Sequence, residues 1–239
     1  MTRSARLSSS QDSFLRHISA ALLVFCLAVV GGLARADEAV DVSLVLAVDC
    51  SYSVTEDEFQ LQIQGIADAL RSRDVEALIK SGPNGSIAVV LLEWSSEDAQ
   101  AVAIPWTKLA NIVDIERYAE LLVRAPRFEP GYTSISGAIR AGIGLLSKSP
   151  FRTPREVIDI STDGDNNDGV SPETARDVAA QSGVTINGLA ITRELPYLEL
   201  YFQHHVITGS NSFVIKADDY AAYHDAMKRK LLREIQPVS

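Results

Sequence analysis

The chain has 239 residues, of which 46% are hydrophobic, with a formal net charge of −9 and two cysteines. That length and apolar content suffice for one domain with a full core. The acidic balance excludes a protein held to nucleic acid or anionic lipid by charge, and no basic run or aromatic-basic interleaving reverses it.

At the N-terminus, Arg3, Arg6 and Arg16 precede an apolar stretch from Ile18 to Ala34 that ends in Ala34-Arg35-Ala36. A basic start, an apolar middle and a small-x-small cut are the order of a secretory signal peptide. The alternative is an uncleaved anchor, because the run is only slightly shorter than a bilayer-spanning helix. The Gly31-Gly32 break and the Ala-x-Ala site favour cleavage after Ala36. Residues 1–36 are thus expected to be a signal peptide. Residues 37–239 are expected to form a single exported domain, periplasmic or secreted, that does not span a membrane. Cleavage removes four of 22 basic and one of 31 acidic residues and leaves a net charge of −12. It also leaves Cys50 as the sole cysteine, so no internal disulfide supports the body. Cys50 reads as a small buried side chain, with a reactive thiol or a dimer bridge as alternatives.

In the body, "DVSLVLAV" (41–48) reads as a strand. Phe59, Ile63, Ile66 and Leu70 then mark one face of a helix over 55–71, and "SGPNGS" (81–86) later breaks the chain. "IAVVLLEW" (87–94) is a strand with no wet face, and "AVAIPW" (101–106) carries Pro105, which suits an edge. Helices follow over about 111–123 and 134–147, then the strand "REVIDIST" (155–162). Next come a helix with Ser171 as cap and Pro172 in its first turn, and the strand "VTINGLAI" (184–191). A short helix near 195–204, the strand "SFVIKA" (212–217) and a terminal helix over about 218–234 complete the chain. Strands alternating with helices predict an α/β fold, a three-layer αβα sandwich around a mostly parallel central sheet with one antiparallel edge strand.

Ligands of such sheets sit beyond the carboxyl ends of the strands. Three turns there are unusual: "DCSYS" (49–53) after the first strand, "GYTSIS" (131–136) entering a helix, and "TDGDNNDG" (162–169) after a later strand. Asp49, Ser51, Ser53, Thr133 and Asp163 are oxygen donors on one rim, and strand alternation lets Asp49, Ser51 and Ser53 share a side. Two carboxylates and three hydroxyls suit a hard divalent cation while supplying only two negative charges. Helix capping is the competing reading for Ser53, Thr55 and the residues around Thr133.

Asp-x-Ser-x-Ser after the first strand, a threonine in a middle loop and an aspartate in a "TDG" turn resemble the metal-ion-dependent adhesion site of von Willebrand factor A-type domains. The resemblance runs through the mature chain. "VLAVDCSYSV", "VLLEWSS" and "DISTDGDNND" are similar to an uncharacterised bacterial family of exported A-type proteins. It implies that Ser51, Ser53 and Thr133 bind Mg2+ (or Mn2+ or Ca2+) directly, with Asp49 and Asp163 binding directly or through water. Gly164 would permit the tight turn. The partner would be a protein offering a Glu or Asp carboxylate. Tyr52, Tyr132, Asp165, Asn166 and Asn167 would form the rim that meets it, although the residues from Asp165 to Asp168 also read as a solvated turn.

The same acidic turn fails as an EF-hand loop, because Asp168 and Thr174 stand where glycine and glutamate are needed. His204-His205 reads as surface or packing, since adjacent helical residues diverge and no nucleophile is near. Glu93-Trp94 ends its strand near the rim, with Trp94 as a core-edge aromatic. No nucleophile elbow, phosphate loop or zinc-protease motif is present, and serine occupies the place of the second aspartate in an Asp-x-Asp nucleophile. The expectation is a binding module and not an enzyme. An exported metal-dependent hydrolase and a metal-independent interaction domain are the alternatives.

Overall fold

A computed structural model describes residues 38–236; the signal-peptide expectation lies outside the described residues. β2 (Ser43–Asp49) and β3 (Ile87–Trp94) are buried at every position. That explains their unbroken Val, Ile and Leu runs, since a strand covered on both faces has no reason to alternate. β1 (Glu38–Ala39) stands apart and pairs with β5 (Phe151–Arg152) in a separate two-stranded sheet.

The main sheet has the order β4-β3-β2-β6-β7-β8, with β4 spanning Gln100–Leu109, β6 Glu156–Thr162, β7 Thr185–Ile191 and β8 Val214–Ala217. All neighbours are parallel except β4, which runs antiparallel to β3 at the edge. Pro105 is tolerated there because an edge strand leaves one row of amides unpaired.

Helices cover both faces. On one lie α1 (Glu56–Arg71), α2 (Arg73–Ser81), α3 (Ile112–Arg124) and α7 (Tyr223–Ile235), packed by Phe59, Ile63, Ile66, Tyr118 and Tyr223 against Leu44, Leu46, Val89 and Leu91. On the other lie α4 (Ile135–Leu146), α5 (Pro172–Gln181) and α6 (Leu198–Tyr201), which continues as a π-helical turn over Phe202–Val206. Their Ile135, Ile139, Ala175 and Phe202 meet Val45, Ala47, Val90 and Ile160. Successive residues of β2 thus feed two cores, which is the three-layer sandwich expected from the sequence.

Three local expectations are corrected. Between the helix expected over 55–71 and the break at 81–86, a stretch with no expected element, a second helix forms: Ser72 adopts an extended conformation, ends α1 and accepts the Val75 amide at 3.4 Å to start α2. Ser171 stands before α5 but makes no side-chain cap, its hydroxyl donating instead to Glu173. The terminal helix starts at Tyr223 and not at 218, after a turn in which Asp219 accepts the Ala222 amide at 2.9 Å. Among the described residues, no helix is long and apolar enough to cross a membrane.

Candidate metal centre

The two carboxylates of the site come from adjacent central strands. β2 and β6 run in parallel register, so Asp49 at the end of one and Asp163 just beyond the other leave the sheet side by side. Both are buried, as are Ser51 and Thr133. Asp49 Oδ1 accepts the Ser51 amide at 2.6 Å, and Oδ2 accepts the Thr162 hydroxyl. Ser51 and Ser53 hydroxyls lie 3.0 Å apart, and Ser53 donates to Asp163 Oδ1 at 2.6 Å. All three Asp-x-Ser-x-Ser residues therefore join one hydrogen-bonded chain with Asp163.

Thr133 reaches the same cleft as Ser53 and Asp163 from the third turn. Its amide donates to Asn167 Oδ1 at 2.8 Å, and its carbonyl accepts the Asn167 amide at 2.9 Å. Its hydroxyl faces Gly164, where a Cβ would come within 3.3 Å of Oγ1. A cleft of about 380 Å³ opens onto Ser53, Thr133 and Asp163 between Tyr52, Tyr132 and Asp165.

The capping alternative is resolved by which residues cap. Thr55 is the N-cap of α1 and forms a capping box with Glu58. Ser134 is the N-cap of α4 and accepts the Gly137 amide at 3.2 Å. Ser53 and Thr133 are thus spared that duty: the Ser53 hydroxyl bonds Asp163, and Thr133 lines the same cleft.

The cluster fits a divalent cation by its charge as well as its donors. Burial, then the neighbouring charge of Asp163, pushes the Asp49 carboxyl up to about 7, and burial raises Asp163 as well. Among the described residues, neither carboxylate is joined to a cationic side chain by a salt bridge. Two buried carboxylates without an ion-pair partner are what a bound dication would stabilise. Among the described residues, no three His, Cys, Asp or Glu side chains converge as a metal site. The donor set here rests on hydroxyls in addition to its two carboxylates.

The rim residues divide into two groups. Tyr52 and Tyr132 are 70% and 63% exposed, with rings edge-on at 6.2 Å. Asp165 accepts the Tyr197 hydroxyl at 2.8 Å. Asn166 and Asn167 spend side-chain groups on the turn itself: Asn166 accepts the Ser136 amide and donates to the Asp168 carbonyl, while Asn167 holds Thr133. Glu93 and Trp94 are wholly buried. Glu93 accepts the Phe128 amide at 2.6 Å, bracing the loop that precedes Thr133. Cys50 is buried, and burial with the adjacent Glu93 charge raises its thiol, consistent with an inert packing residue. His205 contacts Glu173 on the surface, away from the cluster.

Several contributors carry no local sequence signal. Arg127 directs one amino group at the carbonyls of Cys50, Ser51 and Val54, at 3.2, 3.2 and 2.6 Å. Gln62 donates to the Asp49 carbonyl at 3.3 Å, and Tyr220 donates to Asp163 Oδ2 at 3.0 Å. Thr162 opens the "TDG" turn, but nothing in the sequence says that its hydroxyl donates to Asp49.

A family model described as "Protein of unknown function (DUF1194)" matches residues 39–239. The chain belongs to this family. No match was found among curated proteins. Solved structures place the DUF1194 fold among von Willebrand factor A-type domains. The open conformation of the pilus adhesin SpaC from Lactobacillus rhamnosus GG is 16% identical with a TM-score of 0.60, covering 82% of this chain and 30% of that one. The von Willebrand factor type A protein from Catenulispora acidiphila is 15% identical with a TM-score of 0.56, covering 82% of this chain and 43% of that one. Proximal thread matrix protein 1 from the mussel byssus, solved with a zinc-occupied MIDAS motif, is 18% identical with a TM-score of 0.53. That match covers 81% of this chain and 46% of the byssus protein. The DUF1194 chain thus spans less than half the length of each of these three proteins, and the likeness is one of fold.

Proposed function

We propose that this DUF1194 domain is an exported, metal-dependent protein-binding module and not an enzyme. Asp49, Ser51, Ser53, Thr133 and Asp163 hold a divalent cation, magnesium or in its place manganese or calcium. The ion supplies an electron-poor centre that a Glu or Asp carboxylate from a partner protein completes. The observation that carries this reading is the division of labour among the hydroxyls. Thr55 and Ser134 cap the helices, so the hydroxyls of Ser53 and Thr133 are left for the carboxylate cluster. The metal-occupied site of the byssus protein supports a divalent ion at this place in the fold.

The chain's own residues prepare the site. Asp49 fixes the first turn by holding the Ser51 amide, and Asn167 fixes Thr133. Tyr52 and Tyr132 stand exposed beside the cleft as amphipathic contact surface. Specificity would come from these rings and from Asp165, since a lone carboxylate on a metal discriminates little.

Calorimetric titration of metal-stripped protein with magnesium and then manganese, beside Asp49→Ala and Thr133→Ala, tests the reading. Saturable binding lost in both variants is expected, together with chelator-sensitive capture of a partner. Absence of binding up to millimolar metal, with chelator-indifferent capture, would point instead to a metal-independent interaction domain.

A further inference from the structure

Between the centre of the sheet and the terminal helix lies a second group of reactive side chains. Lys230 on α7 is 0% exposed, Asp159 on β6 and Glu234 on α7 are each 1% exposed, and Asn187 on β7 is 3% exposed. Lys230 Nζ lies 2.5 Å from Asp159 Oδ1 and 2.7 Å from Glu234 Oε1. Asn187, beside Asp159 in the β6–β7 register, donates to the same Glu234 oxygen at 2.9 Å. The Phe213 ring covers the amine at 5.9 Å.

As a purely electrostatic device this cluster is poorly finished. Asp159 Oδ1, Asp159 Oδ2 and Glu234 Oε2 are buried and, among the described residues, accept no hydrogen bond of regular geometry, and the two carboxyl groups lie against each other. Nζ meets Asp159 Oδ1 as a close ion-pair contact without regular hydrogen-bond angles. A buried ion pair offsets its desolvation only when its remaining polar atoms are satisfied, and here three carboxyl oxygens accept no well-formed hydrogen bond. An amine held against a carboxyl group in a dry core, with a second carboxylate on the amine, is instead the arrangement of an acyl transfer.

We propose that Lys230 and Asp159 condense to an intramolecular amide, Nζ to Cγ, with Glu234 moving the protons. A proton passes from the Lys230 ammonium to the Asp159 carboxylate, giving a neutral amine and a neutral acid. Burial and then the charge of Glu234 push the Asp159 carboxyl up to about 8, which favours that neutral acid. The amine lone pair attacks Cγ. Glu234 takes the second nitrogen proton and returns it to the departing hydroxyl, which leaves as water. The sum is amine plus acid to amide plus water, with no oxidant or co-reactant. Holding the reactants in contact supplies the effective concentration that makes such a step feasible in a protein interior. Asn187 is a positioning residue, since its amide fixes the Glu234 oxygen beside Nζ. The product ties the terminal helix covalently to the centre of the sheet in a body whose one cysteine, Cys50, forms no disulfide.

Intact-mass and tandem mass spectrometry of the purified chain test this directly. The expected result is a mass one water below that of the sequence, with no tryptic cleavage after Lys230. A branched peptide joining the β6 segment to the α7 segment should be present. Lys230→Arg should restore the full mass. Glu234→Gln keeps both reacting groups and should slow condensation on the order of a hundredfold, the scale of a lost proton-transfer group. If neither variant folds, the mass and peptide map of the unaltered chain decide alone. Full sequence mass with ordinary cleavage after Lys230 would overturn the proposal. So would a water deficit that persists in Lys230→Arg, which would mark a cyclised aspartate. A deficit of one ammonia mapped to Asn187 would overturn the choice of Asp159 as the acyl group.

Discussion

Tyr220 donates its phenolic hydroxyl to Asp163 Oδ2 at 3.0 Å, while the other oxygen of that carboxylate accepts from Ser53 at 2.6 Å. The segment between β8 and α7 is therefore wired to the metal cluster through one side chain. Partners behind a metal ligand fix its orientation, and their loss usually costs 10- to 100-fold in affinity. Tyr220→Phe keeps the buried ring and removes only the donor. Magnesium affinity by calorimetry should fall about tenfold, with little change in melting temperature. Unaltered affinity would mean that Ser53 alone positions Asp163.

Arg127 is the other residue that acts from a distance. Its contacts to the carbonyls of Cys50, Ser51 and Val54 hold the loop that carries two of the hydroxyls, and its head group also stacks 5.7 Å from the Phe59 ring. Arg127→Met should cost about 2 kcal/mol in chemical denaturation, the scale of lost charge-assisted hydrogen bonds, and should weaken magnesium binding as the loop loosens. Arg127→Lys should recover only part of both, because an ammonium lacks the planar fork. Full activity of the lysine variant would assign the residue a charge role alone.

These two residues also show where sequence reasoning stopped. The layer order, the antiparallel edge and the shared rim of the three turns were legible because periodicity and spacing are local properties of the chain. Whether Ser53 and Thr133 were caps or ligands was not, since either role uses the same hydroxyl. Thr55 and Ser134 take the capping positions, which leaves those hydroxyls free for the proposed site. Arg127 and Tyr220 lie 73 and 57 residues from the groups they hold at Val54 and Asp163, and nothing in their own neighbourhood marks them. The helix α2 was missed for a local reason. Ser72 both stops one helix and starts the next, so the break and the restart share a residue.

The loop carrying Thr133 depends on Glu97, which accepts from Ser134 at 2.5 Å and Ser136 at 3.1 Å and pairs with Arg140. Glu97 in turn sits against Gly169, whose φ is +74°. A Cβ there would lie 1.9 Å from Glu97 Oε2. Gly169→Ala therefore meets both a strained backbone and a displaced carboxylate, and should lower stability by roughly 1–3 kcal/mol. Because the displaced group holds the start of α4, magnesium affinity should fall as well. Thermal melts with and without magnesium separate the two effects, and a variant as stable as the parent would show that Glu97 swings aside freely.

Asp49→Asn separates the charge of the site from its shape. The amide keeps an oxygen able to accept the Ser51 amide, so the turn should survive. In the chelated protein, burial holds the Asp49 carboxyl up at about 7 from an ordinary value of 3.8. A raised value means that the folded state favours the protonated form. The stabilisation from Asp49 is then complete below about pH 4. It is lost as pH climbs toward 7, by on the order of 1 kcal/mol per pH unit. Asp49→Asn should remove that decline, so that without metal the variant equals or exceeds the parent at pH 8. Magnesium reverses the order. At a hundred times its dissociation constant it should stabilise the parent by about 2.7 kcal/mol and the variant hardly at all. Denaturation at pH 5 and pH 8, with chelator or with magnesium, gives the four values required. A chelated parent whose stability is flat across that range would show that Asp49 is not buried as a charge, and would remove the electrostatic argument for the metal.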